Sequence, residues 1–471
     1  MTVHKLSAGD GYTYLTRQVA SADHVRGPGQ GLADYYLAVG KPPGMWLGHG
    51  AEQLGIAGTV VTEDQMRALF GEGRHPDRDA LLAAGAPDVA TKFGSAYPTY
   101  AGLAPYPLRV ARALETFERD HGRSPSTSER NQVAANEARR GRRAVAGFDL
   151  VFSPVKSASV LWALGGPAVR QAVEDAHHEA MRSTMGWVER HAAYTRTGHG
   201  GTAQVDADAL ICVAFYHRES RSGDPDLHTH VAVANKVCGV DGKWRSLDAR
   251  NLYSLGVAAS ERYNTRFEDA LGRRLGVAFG ERFGGASEKR PVREIAGVPL
   301  DLVRHFSRRR VAIEQRLAEL RAHYRAAHGR EPDRLTQLRL AQQATLETRE
   351  GKGLGRTLAE QVQDWTEQAR RVVGSRTLEQ LVSRTTGRRQ EFSQPSDVEL
   401  HALASRIVRQ VAEQRSTWTV WNVYAESDRV LRPFRFASAQ ERERVTDAVV
   451  DLATGPELAI RRATLGPGAG R

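Results

Sequence analysis

The stretch Phe215–Asn235, FYHRESRSGDPDLHTHVAVAN, leaves the chain the fewest choices of local structure. Before it, Ala209–Tyr216 (ALICVAFY) is apolar and rich in strand formers, and Val231–Val237 after the loop is apolar again. Between them Arg218–Leu227 carries Ser, Gly, Asp and Pro, the residues of turns. Two apolar runs joined in this way read as a β-hairpin. His217 stands at the end of the first strand, and His228 and His230 stand one residue apart on the second. Side chains two apart on a strand share a face, so His228 and His230 point the same way and His217 can meet them from the facing strand. Three neutral imidazoles converging on one point make an open divalent-metal site.

A single histidine on a strand is ordinarily a packed or solvent-bonded residue, and a His-x-His pair can arise by chance. The third histidine across the hairpin is what turns the pattern toward metal. One class of metal enzyme is excluded by spacing: metallo-β-lactamase-like hydrolases continue His-x-His with x-Asp-His, whereas Val231, Ala232 and Val233 follow here. Three further stretches lie in order with the hairpin: Ala33–Gly58 (ADYYLAVGKPPGMWLGHGAEQLGIAG), Gly147–Leu164 (GFDLVFSPVKSASVLWAL) and Gly242–Arg245 (GKWR). Together with His-x10-His-x-His they resemble the conjugative relaxases of the TrwC/TraI type, over about residues 1 to 310. Four motifs in the right order are far more specific than any one of them.

The resemblance implies an α+β fold in which helices flank a central antiparallel sheet, of the palm or RNA-recognition kind. It implies a metal-dependent DNA strand transferase that nicks a plasmid transfer origin through tyrosine attack, forms a 5′-phosphotyrosyl link and rejoins the strand. His217, His228 and His230 are then the metal ligands, with Asp149 beside them. Mg or Mn is the expected ion, with Zn or Ni as alternatives. The family has two tyrosine groups near its N-terminus. Asp34-Tyr35-Tyr36 matches the second. The first, a doublet in the family, is split here as Tyr12-Thr13-Tyr14; aligning Tyr-Leu-Thr favours Tyr14 as the initiating nucleophile and leaves Tyr12 as its competitor. The implied partners are single-stranded or hairpin DNA at a transfer origin and other conjugation proteins. Lys156, Arg139, Arg140, Arg142 and Arg143 are the candidate DNA contacts, although a basic run is usually just solvated surface. A rolling-circle replication initiator shares the metal motif but is usually smaller and lacks the Phe-Ser-Pro-Val-Lys-Ser segment. A DNA-binding relative without catalysis has no reason to keep the histidines, Asp149 and both tyrosine groups.

Composition agrees with a polyanionic partner. Lys and Arg number 66 against 55 acidic residues, a net charge of +11. Arginine's planar fork suits phosphate, though high Ala, Gly and Arg also mark a G+C-rich genome. Cys212 and Cys238 are the two cysteines; both lie in apolar strand contexts, which suits buried thiols in a reducing compartment. There is neither an 18-residue apolar run nor an apolar signal core, so a cytoplasmic protein without membrane insertion is expected.

Along the chain, residues 70–143 read as an insertion with helices at Leu108–His121 and Ser126–Arg140. Phe148–Ser153 reads as a strand, with Asp149 inside it, where a carboxylate is rare unless paired or functional. Helices follow over Lys156–Leu164 and Val169–His191, then one strand over Ala203–Tyr216 into the hairpin. Trp244–Leu247, Val277–Phe279 and Val292–Ile295 read as short strands, and Leu252–Gly272 as a helix. Residues 311–392 form a helical extension, with an unbroken helix over Leu302–Arg330 and others over Thr336–Glu347, Arg356–Val373 and Thr377–Thr385. Residues 393–471 form a further helical region, with helices over Asp397–Gln414, Trp418–Leu431 and Ala437–Leu452. Gly351-Lys-Gly-Leu-Gly-Arg-Thr has the wrong spacing for a phosphate loop and Arg in place of Lys. Full-length relatives carry a helicase after the relaxase part, so the chain reads as the N-terminal portion of a larger protein or as a helicase-free member.

Overall fold

The computed structural model describes residues 1–13, 15–16, 44–98, 106–140, 144–282, 291–348, 356–389, 391–456 and 458. Its centre is a five-stranded antiparallel sheet of β1 (Thr2–Ser7), β2 (Met45–Leu47), β3 (Val145–Phe152), β4 (Cys212–Glu219) and β5 (Pro225–Ala234). The strand order is β1-β3-β5-β4-β2. Alternation along each strand sorts the side chains onto two faces, and both faces are buried. That double burial is why Val231–Ala234 is apolar at every position rather than at alternate ones.

Helices α1 (Lys156–Leu164), α2 (Gly166–Ala192) and α3 (Gly256–Leu275) cover one face. Their core joins Phe148, Leu150, Phe152, Val231 and Val233 of the sheet to Trp162, Met181, Trp187 and Phe267. Helix α2 opens with Pro167, whose fixed φ suits a first helical turn. It buries Val173, Ala176, Ala180, Thr184 and Val188, a stripe of helical period. Helix α3 stops at Gly276, where φ is +62° and a Cβ would lie 2.5 Å from the Arg388 carbonyl oxygen, so only glycine fits.

The other face packs on a second core of Leu6, Tyr12, Leu15, Trp46, Phe70 and Phe93. Residues 70–143 therefore divide in two. Phe70 is fully buried, Phe93 stacks on Trp244 at 3.8 Å, and the Tyr97 hydroxyl donates to the Ala146 carbonyl, so the first part belongs to this core. The second part is a helix pair, Tyr106–His121 and Thr127–Arg140.

After residue 300 the chain is helical. Helices α4 (Arg308–His328) and α5 (Arg334–Glu347) pair with each other, and α6 (Leu358–Val373) returns to the body. Trp365 of α6 is fully buried, tilts against Trp162 at 5.8 Å and donates its indole N–H to the Gly223 carbonyl at 2.8 Å. Helices α7 (Asp397–Gln414), α8 (Val420–Val430) and α9 (Ala439–Thr454) share a small core of Ala404, Ile407, Val423 and Val449. Capping boxes start α6 (Thr357, Glu360) and α7 (Ser396, Glu399), the Thr/Ser-x-x-Glu pattern visible in the sequence. Against α3 this unit sets two buried ion pairs, Arg442 with Asp269 and Arg266 with Asp428 at 3.4 Å, and a third in which the buried Arg262 meets the partly exposed Glu443 at 3.0 Å. Burial pulls the Arg266 guanidinium down to about 9.

Four expected elements are divided, and the strand expected over Val277–Phe279 lies instead at Phe279–Arg282. Ala203–Tyr216 is not one strand: Ala203–Asp206 pairs with Tyr194–Thr197, and the sheet strand starts at Cys212. Between them the backbone bonds elsewhere, Ala207 to the Ala193 carbonyl, Asp208 to the Cys238 carbonyl and Leu210 to the Glu189 carboxylate. The helix expected over Leu302–Arg330 breaks at the buried Phe306, which turns the chain so that the Arg308 amide meets Asp224. The helices expected over Leu252–Gly272 and Thr377–Thr385 are likewise each split, at Leu255 and Gln380. No helix among the described residues is long and apolar enough to cross a membrane.

Trp365→Ala removes a fully buried ring and the bond to Gly223. It should cost about 3–5 kcal/mol of folding stability, read as a lowered urea midpoint, and a surface-like loss well under 1 kcal/mol would show that the extension is not part of the core.

Candidate metal centre

Antiparallel register places His217 of β4 directly opposite His228 of β5, and Phe215 opposite His230. All three histidines project from the face that carries the second core. Their ring centroids form a triangle of 5.1 Å (His217–His228), 5.1 Å (His217–His230) and 5.2 Å (His228–His230). Imidazole nitrogens bound at about 2.1 Å to one tetrahedral ion put their ring centroids roughly 5 Å apart, so the spacing fits a shared cation. Among the described residues no group of three His, Cys, Asp or Glu side chains already has its donor atoms gathered as in a filled site. Small ring rotations would redirect the nitrogens toward a shared point without moving the rings apart.

Two of the rings are oriented from behind. His228 donates from Nδ1 to the Asp226 carbonyl oxygen at 2.7 Å. A carbonyl only accepts, so Nδ1 holds the proton and Nε2 keeps its lone pair. His230 faces the Asp149 carboxylate through Nδ1 at 2.8 and 3.0 Å, and Asp149 is 1% exposed. A carboxylate or carbonyl on the far nitrogen is how metal-binding histidines are commonly fixed. Burial pushes the His228 imidazole below its usual range and so favours the neutral form a cation needs.

The Phe-Ser-x-x-Lys-Ser stretch holds the hairpin in place. Lys156 donates to the Pro225 carbonyl at 3.0 Å and to Asp226 at 2.9 Å. The Leu227 amide donates to Ser159 Oγ at 3.0 Å, while Ser157 Oγ accepts from the Ile295 amide, outside the hairpin, at 2.8 Å. Lys156, expected as a DNA contact, is thus turned onto the histidine hairpin. The hairpin loop is clasped from the other side: Asp224 pairs with Arg308 at 2.6 Å and accepts from its amide at 3.0 Å, while Gln361 donates to Glu219.

Sequence reasoning missed four further residues. Thr229, between the two histidines, points to the opposite face, where its hydroxyl meets His177 Nε2 at 2.7 Å; His177 Nδ1 meets the Tyr263 hydroxyl at 2.6 Å. The signal available was a histidine on the apolar stripe of a helix, which is ordinarily just a core histidine. His4 is the fourth: it is exposed and stands in register with Asp149. Of the expected tyrosines, Tyr12 closes a short 3-10 turn and is packed to 6% exposure in the second core. Tyr14, Tyr35, Tyr36, Arg142 and Arg143 lie outside the described residues, as do the side chains of Arg139 and Arg140.

The family model for the TrwC relaxase matches residues 8–372, most of the chain. The chain belongs to the TrwC relaxase family. It is 28% identical over 300 residues to the multifunctional conjugation protein TraI of Escherichia coli, covering 61% of this chain and 13% of that protein. The K12-strain TraI is 27% identical over 298 residues, again covering 61% and 13%. The chain therefore spans about an eighth of the curated relatives it matches. In fold it is similar to the conjugative relaxase TrwC in a copper-bound complex with oriT DNA, with a TM-score of 0.50 and 21% identity, covering 79% of this chain and 98% of that one. The α+β relaxase fold with a helical C-terminal region is thus shared.

In this relaxase-family chain burial also depresses His177 well below the ordinary imidazole range and His178 to about 4. Arg182, on the same helix as His178, pushes it the same way, and Asp175 opposes. The unfolded chain protonates first, near 6.5. Stability is therefore full above that pH and falls as the pH drops toward 4. Urea midpoints should be lower at pH 5 than at pH 7, and His178→Gln should narrow the gap; an unchanged gap would assign the slope elsewhere.

Proposed function

We propose that the chain nicks one DNA strand at a plasmid transfer origin, holds it as a 5′-phosphotyrosyl ester and rejoins it during conjugative transfer. The observation that carries this reading is the triangle of three imidazoles backed by the buried Asp149. Family membership supports it, as does the relaxase TrwC in complex with oriT DNA that shares the fold.

His217, His228 and His230 would hold a divalent cation, which neutralises charge on the non-bridging oxygens of a phosphodiester and orients the group for in-line attack. Three nitrogen donors favour Zn or Ni over Mg or Mn in affinity, which sets the donor chemistry against the expectation of Mg or Mn. Asp149 keeps His230 in one tautomer and one orientation. Lys156 and Asp226 do the same for the His228 end of the strand. Tyr14 is the proposed first nucleophile: its oxygen bonds to phosphorus, the bond from phosphorus to the 3′-oxygen breaks, and the 3′-oxygen leaves as a hydroxyl after taking a proton. The new ester keeps most of the bond energy of the old one, so the 3′-hydroxyl can attack in reverse and no ATP is needed. Tyr35 and Tyr36 form the second nucleophile group, suited to a second strand end while the first tyrosine is occupied. DNA affinity from the basic surface, including the arginines at 139, 140, 142 and 143, would fall steeply with salt as counterions are released.

The test is supercoiled plasmid carrying the cognate origin, with denaturing gels to detect protein-linked nicked circles. Wild type should nick; excess EDTA and His228→Ala should each lower nicking by at least about 100-fold. Tyr14→Phe should abolish the nick, whereas Tyr35→Phe should keep it and lose strand transfer on oligonucleotides. Peptide mapping should place the DNA adduct within residues 4–17. Full nicking in EDTA would remove the metal from the reading; an adduct on Tyr12 or on Tyr35 would reassign the nucleophile.

A further inference from the structure

We infer that His177, Thr229 and Tyr263 form a positioning relay that sets the metal ligands from the far side of the sheet, an inference that rests on the three-histidine metal reading. The three side chains come from three elements, α2, β5 and α3, and all three residues have no exposed surface. His177 Nε2 lies 2.7 Å from Thr229 Oγ1, and Nδ1 lies 2.6 Å from Tyr263 Oη. A neutral imidazole has one N–H and one lone pair. It therefore donates to one hydroxyl and accepts from the other, and either tautomer uses both nitrogens. Both imidazole nitrogens are satisfied without water.

A helix packing on a sheet needs no such group. The surroundings are apolar (Phe152 lies 5.4 Å from the Tyr263 ring, and Val231 and Met181 belong to the same core), so an aliphatic residue at 177 would pack there without any polar atom to satisfy. A buried polar network is high in cost when one bond is missing and gives a single geometry when complete. What this one fixes is Thr229, which stands between His228 and His230 and is paired across the sheet with Phe152 and Tyr216. Because side chains alternate, holding Thr229 against α2 sets how far its two neighbours project on the opposite face. The contacts on the metal side each orient one ring: Asp149 holds His230, and the Asp226 carbonyl holds His228. Thr229 is the point common to both.

The experiment uses the full chain with Ni²⁺ titrated by calorimetry and Co²⁺ absorption as a report on ligand geometry. Thr229→Val keeps the branched shape and loses the hydroxyl; Thr229→Ser keeps the hydroxyl and loses a methyl; Tyr263→Phe removes the far end of the relay. Thr229→Val and Tyr263→Phe should each weaken Ni²⁺ binding about tenfold and shift the Co²⁺ bands. Thr229→Ser should bind and absorb as wild type even though its melting temperature falls. If Thr229→Val does not fold, Tyr263→Phe against Thr229→Ser makes the same comparison. The relay is overturned if metal affinity and Co²⁺ bands are unchanged in the hydroxyl-free variants, or if affinity follows melting temperature in all three. Wild type that binds no Ni²⁺ or Co²⁺ overturns the metal reading and the relay together; wild type that binds both, with variants to match, overturns the relay alone.

Discussion

The pairing of His217 with His228 across an antiparallel hairpin is the constraint on which the site depends. The side-chain period of a strand is two, so a slip of one residue would turn His228 and His230 into the α2 face and bring Thr229 to the site. The fold guards against that slip at several points. Ser159 holds the Leu227 amide, Lys156 holds the Pro225 carbonyl, and Asp149 holds His230. Thr229 has its own partner on the opposite face. Each contact is polar and directional, and each is lost if the register moves.

The loop that closes the hairpin is held by helices far along the chain. Asp224 is 1% exposed, and burial pushes its carboxyl up, against the pull of Arg308. A carboxylate in that position is tolerated because Arg308 gives it both a guanidinium and a backbone amide. Trp365 takes the carbonyl of the neighbouring Gly223. The start of α4 and the middle of α6 therefore bear on the same few residues that fix the spacing of β4 and β5. The extension belongs to the site's scaffold as well as to the core.

Much of this was legible in the residues. The hairpin, its three histidines and the carboxylate in the Asp149 strand were all visible because each breaks an apolar pattern in a way that only chemistry explains. The helix Asp397–Gln414, which opens with a capping box, was legible to the residue. What could not be read were the long-range polar contacts. Lys156 looks the same in sequence whether it faces phosphate or Asp226, and only the packing of α1 on β5 decides it. His177 reads as one more position on a helix stripe, and its partner Thr229 reads as the spacer of a His-x-His motif. The break at Phe306 was hidden for a similar reason: arginine and leucine, good helix formers, stand on both sides of it, and Asp224 from another part of the chain takes the Arg308 amide. Tertiary contacts override local preference at these points.

Helix α3 links these observations. One side of it carries Tyr263 and Phe267 into the main core, where Tyr263 completes the contact with His177 and Thr229. Its other side carries Arg262, Arg266 and Asp269, which meet Glu443, Asp428 and Arg442 of the C-terminal helices. Buried ion pairs of this kind add little net stability, because desolvation offsets most of their attraction, but a wrong alignment leaves charges unpaired in a dry interface. They therefore set where α3 sits more strictly than they set how firmly it is held. Since Tyr263 lies within three residues of Arg262 and Arg266 on a rigid helix, the placement of the C-terminal helices and the placement of Thr229, between His228 and His230, bear on the same element.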